Sequence, residues 1–481
     1  MSSEHVGYIV QIKELQKHPN ADRLQIAIIF GASVIVDLKT KVGDLGVYFP
    51  IDLQLSEEYC RENDLVRRKD ENGNATGGYL DPNKRNIRAM RFRGSPSEGI
   101  FLPLETLAYT GKTQFEVGEK IDNINGHEIC RKYIPRSSVH EPARKLRNKT
   151  RKKKAPTALL FLEHADTEQL AYNLEAFRSG DIVEITLKMH GTSSRIGYLP
   201  VLQGYKKTLL DRILRREGTP IYKWDYISGT RRCVLSSFDG GFYGNNQFRK
   251  QYEDFFRGKL YKGEEVFGEI VGFIDKNLPI MPSVSNEKTK DKDFIEQYGK
   301  TTIFSYGCSP TGEILEREQH NKNTFYTPVE MPQSDFYVYR MTMTNEDGAV
   351  VEYSPDYMRY RCEQIGVKCV PLLWRGIIPK KHFVDKEIIK EESFGERIKY
   401  TVSQEEEVNP GEYIKNIAEQ YYDGPDPIGK THVREGVVIR IVNRPKFSAY
   451  KHKNWYFKCI ESIIKNDAVE PDIEEKEELY S

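Results

Sequence analysis

Seven cysteines in 481 residues, scattered and never spaced C-x-x-C, leave little from which to build a disulfide scaffold or a structural zinc site. Cys60, Cys130, Cys233, Cys308, Cys362, Cys369 and Cys459 are odd in number, which suits a reducing compartment. No run of residues approaches membrane-spanning length. Met1-Ser2-Ser3-Glu4-His5 leads into no apolar stretch behind a basic start, so no signal peptide is expected. Net charge is nearly absent too: Lys+Arg 72 against Asp+Glu 71 leaves +1. A nucleic-acid signal, if there is one, must therefore be local. The expectation is an intracellular protein without a membrane partner, cytoplasmic, with a nuclear location left open.

What is present is length and charge. Charged residues make up 30% and hydrophobic ones 38%, as in a folded soluble protein, and the length allows two or three domains. Residues 6 to 125 read as short strands separated by Gly and Pro turns. Val6 to Ile12 is strand-like, His18-Pro19-Asn20-Ala21-Asp22 is a turn, and Gln25–Phe30 with Ala32–Leu38 predicts a hairpin across Gly31. Such a pattern predicts a small β-barrel in an N-terminal module, residues 1–125. Lys84, Arg85, Arg88, Arg91 and Arg93 alternate with apolar residues and Phe92. That mixture suits a phosphate backbone with a stacked base, and equally a solvated strand edge. Residues 126–156 read as a basic linker. From Arg131 to Lys154 eleven arginines and lysines face the single acid Glu141. An α+β domain is expected over 157–464, with helices at Gln169–Phe177, Leu209–Arg216, Phe248–Phe256 and Pro355–Ile365. An acidic tail, 465–481, closes the chain.

The stretch that organises this larger region is Ile182-Val183-Glu184-Ile185-Thr186-Leu187-Lys188, followed by Met189-His190-Gly191-Thr192-Ser193. It alternates with period two, so Val183, Ile185 and Leu187 share one face, and Glu184, Thr186 and Lys188 the other. A lysine is thus delivered at a strand end, beside a glycine that lets backbone and ligand approach closely. Such a lysine is a nucleophile once its amine is neutral. Alone, the string reads as a surface lysine before a turn. Four later stretches change that. Glu265-Val266-Phe267-Gly268-Glu269-Ile270 puts a carboxylate in an apolar strand. Thr302-Ile303-Phe304-Ser305-Tyr306 predicts a strand with two aromatics on one face. Arg434-Glu435-Gly436-Val437-Val438 places another carboxylate at a strand start, and Lys451-His452-Lys453-Asn454 aims two ammonium groups to one side. Asn443-Arg444-Pro445-Lys446 is a turn that folds the third stretch back on the fourth.

In this order the stretches resemble the covalent nucleotidyltransferase superfamily of nucleic-acid ligases and capping enzymes. K-x-H-G-T, with histidine where DNA ligases usually carry aspartate, is most similar to the RNA ligases that seal nicks in duplexes. A module with an H-P-N-A-D turn ahead of the core resembles the Deinococcus-type RNA ligases with an N-terminal OB-like domain. The resemblance implies an OB-like β-barrel followed by an adenylyltransferase domain of antiparallel sheets and helices. It implies ATP and Mg2+ or Mn2+ as cofactors, with Lys188 as the nucleophile that takes AMP. The same resemblance puts His190 and Gly191 at the nucleotide, Glu269 on the ribose, and Tyr306 or Phe304 on adenine. Glu435 would assist the metal, Lys451 and Lys453 the α-phosphate. Arg231 or Arg232 would hold the nucleotide or a 5′-phosphate, and Ser193 and Arg195 would lie along the nucleic acid. The expected partner is a nicked RNA or RNA/DNA duplex, bound by a monomer. A DNA ligase, a GTP-using capping-type enzyme and a non-catalytic nucleic-acid binder remain alternatives at this point.

Overall fold

A computed structural model describes residues 5–69, 73, 75–134, 157–158, 160–214, 216–235, 237–239, 246–274, 278–308, 333–391 and 397–467. Most of the basic linker and most of the acidic tail lie outside the described residues. The remainder forms two units. The first takes the N-terminal 150 residues, but also Asn286–Lys292 and Trp455–Lys476; the second takes Arg151–Ser285, Asp293–Asn454 and Glu477–Ser481. The helix after Lys451 and Lys453 therefore groups with the N-terminal unit and not with the expected 157–464 domain.

The first unit is built from short antiparallel strands, as its turn spacing predicts. β1 (Gly7–Gln11) and β2 (Leu45–Phe49) pair at the centre of a four-stranded sheet, and Leu24–Ile29 pairs with Ala32–Asp37 across Gly31. Ile9, Val47, Phe49, Leu53, Leu55 and Tyr59 are buried in its core. The H-P-N turn has a structural task. His18 accepts the Asn20 N–H at Nδ1 (3.0 Å), so its Nε2 carries the proton and donates to the Phe92 carbonyl (3.1 Å). That pins the turn to a hairpin, Ala89–Phe92 with Ser95–Glu98. On the same hairpin the Ala89 N–H donates to Ser462 Oγ (3.2 Å), in the helix Trp455–Asp467.

The second unit carries two sheets, mostly antiparallel. One is ordered Glu168–Gln169, Ser448–Lys453, Gly436–Ile441, Ile182–Leu187, Leu372–Ile377. We label its lysine strand Ile182–Leu187 β3. The other sheet is ordered Thr219–Gly229, Thr192–Lys206, Glu264–Gly272, Ser334–Thr344, Val350–Glu352. In it Thr192–Lys206 is β4 and Glu264–Gly272 is β5. The remaining strands of the first sheet needed below are β6 (Gly436–Ile441) and β7 (Ser448–Lys453). The chain crosses from the first sheet to the second in only four residues, Lys188–Gly191. On β3, Val183 and Ile185 pack with Val437, Ile439 and Ile441 of β6 in one core cluster, as the alternation predicts. The opposite face is not open to water. Glu184 is buried and held by Arg359 of the helix Pro355–Ile365 (2.7 Å) and by Arg375 (3.3 Å). Helices form at Gln247–Phe256, Pro355–Ile365 and Leu209–Ile213. Gln169–Phe177 breaks instead into two 3-10 turns, because Asn173 leaves helical geometry at φ −134°.

Candidate active site

Register assembles the site. Leu187 of β3 lies opposite Val437 of β6, and Gly436 at the start of β6 lies opposite Lys453 of β7. Three neighbouring strands thus place Lys188, Glu435 and Lys453 side by side at their ends. Lys188 Nζ lies 2.7 Å from Glu435 Oε1, and Lys453 Nζ lies 3.2 Å from the same oxygen. His190 Nδ1 approaches Glu435 Oε2 at 3.6 Å. The side chain of Glu435 is only 3% exposed, whereas that of Lys188 keeps 23%, so the lysine is the member that faces a ligand. Burial alone would raise the Glu435 carboxyl. The ammonium groups of Lys188 and Lys453 and the His190 imidazole outweigh it and hold the group well below the usual carboxylate range. Glycine is required beside Glu435: Gly436 has φ +145°, and a Cβ there would lie 2.2 Å from the His452 carbonyl oxygen.

The turn that carries Lys188 is tied at several points. The Lys188 N–H donates to the Gly436 carbonyl (3.0 Å), and the His190 N–H donates to the Tyr306 hydroxyl (2.6 Å). A Cβ on Gly191 would lie 2.3 Å from the Ile270 carbonyl, so this backbone lies close against β5. Ser193 is opposite Glu269 in register, and its hydroxyl donates to Glu269 Oε2 (3.3 Å). Glu269 is half-buried, and Lys451, two residues before Lys453 on β7, lies opposite Val438 of β6.

Other expected residues fall elsewhere. The aromatic strand ends at Thr302, and Tyr306 adopts φ +48°, so Phe304 and Tyr306 do not share a strand face. Both rings are buried. Phe304 packs on His190 at 4.6 Å, and both rings pack on His432 at 5.2 and 4.7 Å. Arg195 is a correction. It is buried, its guanidinium donates to the carbonyls of Thr230 (2.8 Å), Phe161 and Leu162, and it lies 4.1 Å from the Phe161 ring. It is a structural arginine with no free face for a phosphate. Arg231 and Arg232 are part-exposed and share Asp166: Arg231 Nη2 reaches Oδ1 at 2.5 Å and Arg232 Nη2 reaches Oδ2 at 2.8 Å. In the N-terminal unit, Arg91 is committed to Asp291 (2.6 Å), and Arg85 (φ +48°) donates to the Leu55 and Pro82 carbonyls. Lys84 and Arg88 are half-buried, while Arg93 stands exposed in the hairpin turn. They do not line one strand. Sequence reasoning missed Arg249, which is buried beneath the lysine turn and donates to Thr192 Oγ1 (2.6 Å) and the Ser193 carbonyl (2.7 Å).

A lysine beside a buried carboxylate and a second lysine thus stands at the junction of two mostly antiparallel sheets. The chain belongs to the RNA ligase family, whose model matches residues 181–459, more than half of its length. An OB-fold domain model matches residues 6–104. No curated protein of similar sequence matches. Among solved structures, a lysine-to-methionine variant of Naegleria gruberi RNA ligase with AMP and Mn covers 95% of this chain and 98% of its own, at 18% identity and TM-score 0.52. A lysine-to-alanine variant with ATP and Mn covers 94% and 98%, at 16% and 0.51. The same ligase with PPi covers 96% and 98%, at 17% and 0.52. At such identities the likeness is one of fold. Among the described residues no helix is long and apolar enough to cross a membrane.

Proposed function

We propose that this protein is an ATP- and divalent-metal-dependent RNA ligase that joins 3′-hydroxyl and 5′-phosphate ends, at nicks in an RNA or RNA/DNA duplex, through lysyl-AMP. The observation that carries the reading is the meeting of Lys188 and Lys453 on one buried oxygen of Glu435. In the first step Lys188 Nζ attacks the α-phosphorus of ATP. A P–N bond forms, the bond to pyrophosphate breaks, and Nζ loses its proton. AMP then passes to the 5′-phosphate of the nick, and the 3′-hydroxyl displaces it to form the phosphodiester. Phosphoryl transfer rests on alignment and charge neutralisation more than on acid and base groups. Lys453 and Lys451 are the cations at hand for the α-phosphate, and Glu269, which accepts the Ser193 hydroxyl, is the carboxylate for the ribose. Arg231 and Arg232, already paired by Asp166, form a cationic edge for a phosphate.

In the described residues no three His, Cys, Asp or Glu side chains converge as a metal cage. A magnesium-type ion beside phosphates needs none: one or two protein carboxylates suffice, with phosphate oxygens and water completing its shell. Glu435, ionised and buried, fits that requirement. Bound there, the ion would supply positive charge that neutralises the phosphate oxygens.

The test is incubation with α-labelled ATP and Mg2+. Wild type should carry label on the polypeptide, Lys188→Ala none, and α-labelled GTP should give little. Label on Lys188→Ala equal to wild type would sink the mechanism.

A further inference from the structure

The helix Gln247–Phe256 places an arginine, Arg249, third in its first turn. That is an unfavourable place for a cation, since the helix N-terminus is itself positive. The side chain is 1% exposed, and a buried guanidinium is costly unless its donors are used. Both terminal nitrogens are used on one short stretch. Nη1 donates to the Ser193 carbonyl at 2.7 Å and Nη2 to Thr192 Oγ1 at 2.6 Å.

Those two residues open β4, directly after the four-residue crossing that carries Lys188. Thr192 is paired with Ile270 and Ser193 with Glu269. The crossing is thus held at its start by the Lys188 N–H on Gly436, at its middle by the His190 N–H on Tyr306, and at its end by Arg249. The first two ties are single backbone donors. The third comes from a helix outside both strands, and it fixes a backbone oxygen and a hydroxyl at once. A fork of two parallel donors sets orientation as well as distance.

We propose that Arg249 is a positioning residue for adenylyl transfer: it sets where the Ser193–Glu269 pair stands relative to Lys188. It touches neither nucleotide nor reacting atom and acts through Thr192 and Ser193. The inference rests on the reading that Lys188 takes AMP from ATP. Misplacing a nucleophile by about an ångström costs on the order of a hundredfold in rate, so the orientation of this turn is where a remote side chain has leverage.

The experiment uses the full chain with α-labelled ATP and Mg2+ and measures the single-turnover rate of Lys188 labelling against ATP concentration. Thermal unfolding is followed in parallel. Arg249→Met should remain folded and lose roughly tenfold or more in the rate at saturating ATP, with half-saturation moved less than about threefold. Arg249→Lys, which keeps the charge on a single nitrogen but loses the fork, should recover part of the loss. Thr192→Val removes only the hydroxyl acceptor and should lower the same rate constant several-fold, which keeps the test sharp should Arg249→Met fail to fold. Wild-type rate constants in Arg249→Met or in Thr192→Val overturn the proposal. So does a loss confined to ATP affinity, or one that only tracks the unfolded fraction, since a merely structural arginine would give that. An unlabelled wild type would instead overturn the lysyl-AMP reading itself.

Discussion

Glu435 shows why neighbouring charges, and not the lysine alone, make this site. One of its oxygens holds two ammonium groups, and removing it would leave Lys188 and Lys453 facing each other. Glu435→Gln keeps the shape but removes the charge that holds both lysines in place and that would hold the ion, so single-turnover labelling of Lys188 should fall at least tenfold while the fold persists, read by the same assay with a circular-dichroism control. The arginines divide in the same way. Arg195 is buried on backbone carbonyls, so Arg195→Met should cost about 2–4 kcal/mol in urea unfolding. Arg231 is part-exposed on Asp166, so Arg231→Met should cost no more than about 1 kcal/mol and act on sealing instead. The sequence could not separate the two. An arginine on a β-strand looks available until register turns it toward the carbonyls of another segment. The grouping of Lys188, Glu435 and Lys453, by contrast, was suggested by the order of the stretches that carry them, since each stretch alone reads as ordinary surface or core. Arg249 had none: its partners lie 56 and 57 positions away, and a cation in the first turn of a helix reads as solvated surface.

At the level of elements, β5 carries a further buried carboxylate, Glu265. It accepts the Leu162 N–H at 3.1 Å, and burial pushes its carboxyl up to about 8 from 4.5, with Arg195 and Arg340 opposing. The folded state thus keeps a proton that the unfolded chain releases. Stability from this group is full below pH 4.5 and is lost as pH rises through about 8. Glu265→Gln keeps an acceptor for Leu162 and carries no charge. Its thermal midpoint should rise relative to the parent at about pH 9 and match it more closely at about pH 5; equal shifts at both would contradict the assignment. The element pattern itself was largely readable. Period two located β3 and the hairpin across Gly31, and the turn at 443–446 joined β6 to β7. It failed at Phe304 and Tyr306, where the alternating string leaves the strand after Thr302, Tyr306 turns to φ +48°, and its hydroxyl accepts the His190 N–H.

Across the whole molecule, the division of the chain was the least legible feature. The helix Trp455–Asp467 follows the Lys453 strand by a single residue, yet Phe457 and Ile460 are buried in the N-terminal unit, and Lys458 pairs with Glu98 there. Composition predicts a linker, but which unit covers an amphipathic helix is decided by tertiary packing. Deleting residues 1–154 alone should therefore leave an uncovered apolar face and reduce solubility, measured by the fraction remaining in solution after centrifugation. A chain spanning 155–454 should stay soluble, take label from ATP, and seal nicked duplexes poorly. The central claim is that Lys188 is the residue that carries AMP. Peptide mapping by mass spectrometry, after incubation with ATP and Mg2+, tests it most directly. The predicted result is one AMP, on the peptide containing Lys188; AMP on the peptide containing Lys451 and Lys453, or none on the protein, would contradict it.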